Sequence, residues 1–145
     1  MSPDTELQPF ERLGEAGIAT LVDRLYAVMA ELPEARAIWA MHPADMDEVK
    51  ARLRGFLSGW LGGPDHYTAF YGEPRMRQRH RHFPIGREER DAWMACLRIA
   101  LADTIEDALL REHLERRFAA MADHLRNRVE TADDANRMSC HCTLA

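Results

Sequence analysis

YGEPRMRQRHRHFPIG, residues 71–86, is the stretch on which the reading of this chain turns. Gly72, Pro74, Pro84 and Gly86 break any regular pattern, because proline lacks the N–H that helices and ladders need and glycine marks turns. With Pro64 upstream, the whole segment from Pro64 to Gly86 reads as loop plus one short helix. Arg75, Arg77, Arg79 and Arg81 surround His80 in it, and His82 lies two residues further on. Such a basic run is either a solvated face or a contact for nucleic acid. The formal net charge of −5 argues against general affinity for nucleic acid or an anionic membrane, since both are repelled at long range.

On either side the pattern is helical. Ile18, Leu21, Val22, Leu25, Tyr26 and Met29 recur at three- and four-residue steps, one face of a helix that ends near Pro33, so the buried stripe includes a phenol. Pro33 opens a second, short helical piece to about Met41, which stops before Pro43. Between Ala44 and Leu61 the apolar positions are Met46, Val49, Leu53, Phe56, Leu57, Trp60 and Leu61, with Asp45 or Asp47 as a cap and Gly62-Gly63-Pro64 as the stop. Downstream, Arg87 to Asp103 predicts a helix with Trp93, Cys96, Leu97, Ala100 and Leu101 inward and Glu88 and Glu89 at the positive end of its dipole. Leu110, Leu114, Phe118, Met121 and Leu125 mark the last long helix. No alternating apolar pattern with turn signals indicates a strand, so the class is all-α. Long helices flanking an irregular, histidine-bearing segment are able to bury a flat cofactor.

At 145 residues, 46% hydrophobic and 30% charged, the chain has the size and balance of one folded domain. No apolar run approaches the roughly 18–20 residues that cross a bilayer, and MSPDTELQPF has no signal-type start, so a cytoplasmic protein is expected. Cys96 falls inside a helical pattern, and Cys140 and Cys142 are too close together to staple a fold. Periodicity is lost beyond about Val129. The domain is therefore expected to span residues 1–129, with residues 130–145 a flexible tail. Cys140-His141-Cys142 offers three cramped donors where a closed zinc site takes four.

The quoted string, followed by Trp93 in ERDAWMAC, strongly resembles the proximal segment of group II truncated haemoglobins, and LVDRLYAVMAELP (residues 21–33) resembles their first long helix. Trp60-Leu61-Gly62-Gly63-Pro64 matches the corner before the proximal loop, and the likeness runs in order over roughly residues 18–128. It implies a truncated globin: a two-over-two helical sandwich around one haem b, with the histidine-bearing helix cut to little more than a turn. One departure is that relatives often pair two glycines before the first long helix, where this chain has Gly14-Glu15 and a later Gly17.

The resemblance assigns the axial ligand to His80, three residues before Phe83-Pro84, and makes His82 a solvated or haem-edge residue. Neutral imidazole is a good axial donor that leaves the sixth iron site open. Phe83 is carried over as a haem contact, and Arg79 and Arg52 as partners of the two propionates, which a guanidinium binds through paired hydrogen bonds. Tyr26 and Trp93 correspond to the distal donors, whose O–H and N–H suit a ligand carrying partial negative charge. His42 is placed beside the distal tyrosine, with Trp39 its rival, and Val49 and Leu53 overlie the haem.

The implied function is reversible binding of oxygen, with nitric oxide and carbon monoxide as related ligands, in a protein that stores, delivers or senses. The alternative is a redox enzyme, a nitric oxide dioxygenase or a peroxidase. The chain carries no flavin or nicotinamide fingerprint, so a separate reductase would supply electrons. Neither nucleic acid nor membrane is an expected partner.

Overall fold

A computed structural model describes residues 8–132 and 134 of the chain. In order it has α1 (Pro9–Glu31), a 3-10 turn (Pro33–Ala35), α2 (Arg36–Trp39), α3 (Asp47–Trp60), α4 (Thr68–Tyr71), α5 (Met76–His80), α6 (Arg87–Thr104) and α7 (Ala108–His124). Among the described residues there is no strand. None of these helices is long and apolar enough to cross a membrane.

α1 starts well before its apolar repeat and bends at Gly14, where φ is 66° and ψ 177°. That conformation is essentially restricted to glycine. The bend lets the first turn lie over the end of α3: the Phe10 N–H donates to the Leu61 carbonyl at 3.2 Å. A Cβ on Gly63 would stand 2.4 Å from the Phe10 ring, which is why a glycine occupies that corner. Beyond the bend, all six expected stripe residues of α1 are buried, and Val28 joins them.

α3 begins at Asp47, and of the two expected caps Asp45 accepts the bond, from the Asp47 N–H at 3.0 Å, while Asp47 sits inside the first turn with Glu48. Leu57 and Leu61 are fully buried, whereas Val49, Leu53, Phe56 and Trp60 stay partly exposed although packed on the core. α6 buries Ala92, Met94, Cys96, Leu97, Ala100 and Leu101. Trp93, expected inward, is only partly buried and leans towards Phe118, their ring centroids 5.9 Å apart. α7 is capped by Asp107, which accepts from the N–H groups of Leu109 and Leu110, and it buries Leu110, His113, Leu114, Phe118 and Ala122. Ala122 takes a place expected of Met121 and Leu125, which are half-buried.

α1 packs on both α3 and α6, and α6 packs on α7. The pair α1 and α3 thus lies across the pair α6 and α7, a two-over-two sandwich with the apolar stripes facing inward. The connection from Pro64 to Gly86 holds two single-turn helices, α4 and α5, where one was expected. It is built from polar bonds: the Ser58 hydroxyl donates to the Pro64 carbonyl at 2.6 Å, and Asp65 accepts from the N–H groups of Tyr67 and Thr68.

After α7 the chain turns back. Glu130 accepts from the Arg87 N–H at 2.7 Å, and Arg126 forms an ion pair with Asp134 at 2.9 Å in which both side chains are buried. The rest of the expected tail, including Cys140-His141-Cys142, lies outside the described residues.

A Cβ at Gly14 would meet nothing within 4 Å, so replacing this residue tests backbone strain without a steric clash. Gly14→Ala is expected to lower the unfolding free energy by about 1–3 kcal/mol, measured by urea denaturation. An unchanged midpoint would mean that the bend needs no glycine.

Candidate functional site

Four elements bring the polar groups of the interior together. α1 carries Tyr26, which is 7% exposed, and burial pushes its phenol up to about 12. Its hydroxyl is therefore a neutral donor throughout the physiological range. The turn after α2 supplies His42, whose ring lies edge-on to Tyr26 at 5.5 Å between centroids, while Trp39 stacks behind His42 at 5.8 Å. Both candidates for this corner are thus used, His42 beside the phenol and Trp39 supporting it. His42 Nδ1 is 2.8 Å from the Ile38 carbonyl, which only accepts, so Nδ1–H is the donor and the neutral ring bears its lone pair on Nε2.

α5 carries His80. Its Nδ1 is 2.7 Å from the Met76 carbonyl one turn earlier, which makes Nδ1–H the donor and again leaves Nε2 with a free lone pair. Burial holds the His80 pKa below its ordinary value against the opposing effect of the Met76 carbonyl, and the charge of His42 lowers it further. At neutral pH His80 is thus an uncharged nitrogen base of fixed tautomer.

Aromatic and apolar side chains connect these groups. Trp93 of α6 touches Phe118, whose ring is 5.0 Å from Trp60, and Trp60 in turn stacks with Phe56 at 6.0 Å. Val49 and Leu53 lie on the same partly exposed side of α3. Arg117 holds the Trp60 ring from behind, its guanidinium 4.1 Å from the ring centroid and donating to the Trp60 carbonyl.

Arg52 projects from α3 with its Nε 3.1 Å from Glu48 and its guanidinium 5.0 Å over the Tyr71 ring. Arg79 does different work from Arg52. Its Nε donates to the Pro74 carbonyl at 2.8 Å and Nη2 to that of Tyr71 at 2.6 Å, so the guanidinium ties the loop together. Phe83 is 40% exposed beside the His80 turn, and His82 is exposed. Among the described residues no group of three His, Cys, Asp or Glu is placed to hold a metal ion.

Sequence reasoning missed Met76 and Arg117. The Met76 contribution is a backbone carbonyl, which any residue would supply, and its only signal is the spacing of four from His80. Arg117 reads as an ordinary charged position on the outer side of the last helix.

A two-over-two helical sandwich with a neutral imidazole on a single-turn helix, and a buried phenol on the first long helix, defines a shortened globin. The model of the bacterial-like globin family matches residues 8–127. The group 2 truncated haemoglobin YjbI of Bacillus subtilis is 36% identical over 125 residues, covering 86% of this chain and 92% of that protein. Among solved structures, the group II 2-on-2 haemoglobin of Agrobacterium tumefaciens superposes with a TM-score of 0.79 at 40% identity, covering 83% of this chain and 95% of the other. A truncated oxygen-avid haemoglobin from Bacillus subtilis gives 0.75 at 35% identity, covering 82% and 98%. The chain belongs to the bacterial-like globins and, within them, to the group II truncated haemoglobins.

Membership implies haem binding, and the residues fit that group. His80 has Nδ1 anchored on a carbonyl, as metal-ligating histidines usually do, and its Nε2 lone pair is chemically suited to donate to a haem iron. The partly exposed apolar side chains suit a flat hydrophobic ring.

The phenolate absorbance of the parent and of Tyr26→Phe is expected to coincide up to pH 10, the ordinary tyrosine value, because Tyr26 ionises only at about 12. A difference of one tyrosine's half-titration at pH 10 would contradict the burial of this hydroxyl.

Proposed function

We propose that this protein binds haem b through His80 and reversibly binds oxygen, with nitric oxide and carbon monoxide as related ligands. The observation that carries the reading is the commitment of His80 Nδ1–H to the Met76 carbonyl, which leaves a neutral, lone-pair-bearing Nε2. Haem supplies an iron whose open axial position takes up a diatomic molecule.

The protein's own groups do the rest. Tyr26 offers a hydroxyl that stays protonated because burial disfavours its anion. Trp93 offers an indole N–H that only donates. His42 packs edge-on to the Tyr26 ring and limits its movement. Val49 and Leu53 are apolar and would keep water from a bound ligand, and Phe83, exposed beside the His80 turn, would lie against the haem. Arg52, half exposed on α3 and paired with Glu48, and Arg79, which donates to carbonyls of its own loop and keeps further N–H groups, are the two propionate partners.

The presence of two donors also favours a second reading. Each hydrogen bond to a charged acceptor is worth about 1.5–3 kcal/mol, so a ligand held by both leaves slowly. Slow release suits chemistry on the held ligand, as in a nitric oxide dioxygenase or a peroxidase fed by a separate reductase, better than delivery.

Purified parent protein is expected to show a haem Soret band that responds to dithionite and carbon monoxide, and His80→Ala is expected to lose that axial coordination. A colourless parent that takes up no hemin would overturn the reading. By stopped-flow, Tyr26→Phe and Trp93→Phe should each release oxygen about ten- to a hundredfold faster. Unchanged rates would remove these residues from the ligand site. Nitric oxide turnover with a reductase present supports the enzyme, and its absence together with fast oxygen release supports a carrier.

A further inference from the structure

The His80 turn is too short to hold itself in place. α5 has five residues, Met76–His80, and an isolated turn of that length is unstable in water. Its residue before the first turn, Arg75, sits at φ 41°, a conformation that costs a non-glycine residue energy. Something outside the loop must fix it.

Asn127, just past the end of α7, is placed to do so. Its side-chain NH2 donates to the His80 carbonyl at 3.2 Å and to the Phe83 carbonyl at 2.8 Å, and its side-chain oxygen accepts from the Ile85 N–H at 2.9 Å. Its backbone N–H donates to the Ile85 carbonyl at 2.8 Å. Both ends of the amide are thus used, with the NH2 on two carbonyls and the oxygen on an N–H, so its orientation is fixed by its partners. The three side-chain bonds span residues 80, 83 and 85, the whole descent from the histidine to α6. The imidazole itself has one protein bond, to Met76 in the same turn, so the ring goes where the turn goes.

We infer that Asn127 is a positioning residue for the axial histidine: by holding the His80 and Phe83 carbonyls it sets the height and the rotation of the imidazole towards the haem. The inference rests on the haem-binding reading above. Carboxylates and carbonyls that orient a metal-bound histidine commonly act on the ring nitrogen. Here the control is exerted one step further back, on the peptide that carries the ring.

The test uses haem-loaded, ferrous, ligand-free protein and reads the iron–histidine stretching band by resonance Raman. Asn127→Ala removes all three side-chain bonds. Asn127→Asp keeps an acceptor for Ile85 N–H but loses both donors. In both variants the band is expected to shift and broaden, with hemin transfer to an acceptor globin about five- to tenfold faster. Leu110→Ala, a core change at the other end of α7, is expected to lower thermal stability while leaving the band where the parent has it. A variant of Asn127 that loses stability but keeps the parent's band would overturn the inference and make the residue merely structural. If Asn127→Ala does not fold, an unshifted band in Asn127→Asp overturns it equally. A parent that takes up no hemin is a different failure, that of the functional reading, and is seen before any variant is made.

Discussion

The bond from His80 Nδ1–H to the Met76 carbonyl decides which imidazole nitrogen is left to act. Without it the two tautomers of a neutral histidine would compete, and the free lone pair would be on Nε2 for only part of the time. With it, the donor is fixed before any cofactor arrives, and burial keeps a proton from taking that lone pair. The bond closes within a single turn of chain. It orients the ring relative to the turn and leaves the placement of the turn to other contacts.

The opposite side of the site is set by a different physical effect. Tyr26 is placed by apolar packing along α1, between neighbours that are fully buried, and its hydroxyl is kept neutral by the loss of water around it. A rise of about two pKa units corresponds to roughly 3 kcal/mol favouring the donor form. Such a group needs no partner to tune it. His42 and Trp39 then serve as walls, restricting the phenol through ring contacts rather than through charge.

The sequence was most legible where structure repeats. The stripe from Ile18 to Met29 names the buried face of α1 residue by residue, because helical burial imposes a period that six positions are enough to show. The Pro64–Gly86 connection was legible only as a break. Single turns such as α4 and α5 are shorter than one period, so nothing in the residue pattern separates two of them from one. Arg79 was legible only as a charge: the sequence does not show that the carbonyls of Tyr71 and Pro74 lie close in the folded loop and accept two of its five N–H bonds. Trp93 followed the helical period yet stays partly exposed beside Phe118, since period alone does not separate a fully buried position from one at the edge of the core. Gly14 drew notice as a departure from paired glycines, but only the Leu61 and Gly63 corner shows why the chain must bend there.

These two sides differ in what holds them, and that difference bears on how the molecule works. Tyr26 and Trp93 stand on the two long helices that pack most extensively against each other, so their positions share the stability of the whole core. His80 stands on a turn held by an amide, a few carbonyls and the guanidinium of Arg79, and no residue of that turn is buried. Polar bonds of this kind fix direction sharply but yield locally, because breaking one does not require opening the core. The end of α7 joins the two regimes. Asn127 reaches the histidine loop, Glu130 reaches the start of α6, and the buried Arg126–Asp134 pair anchors the chain between and beyond them. The His80 turn and the first turn of the Trp93 helix are thus tied to the same short run of residues, 127–130.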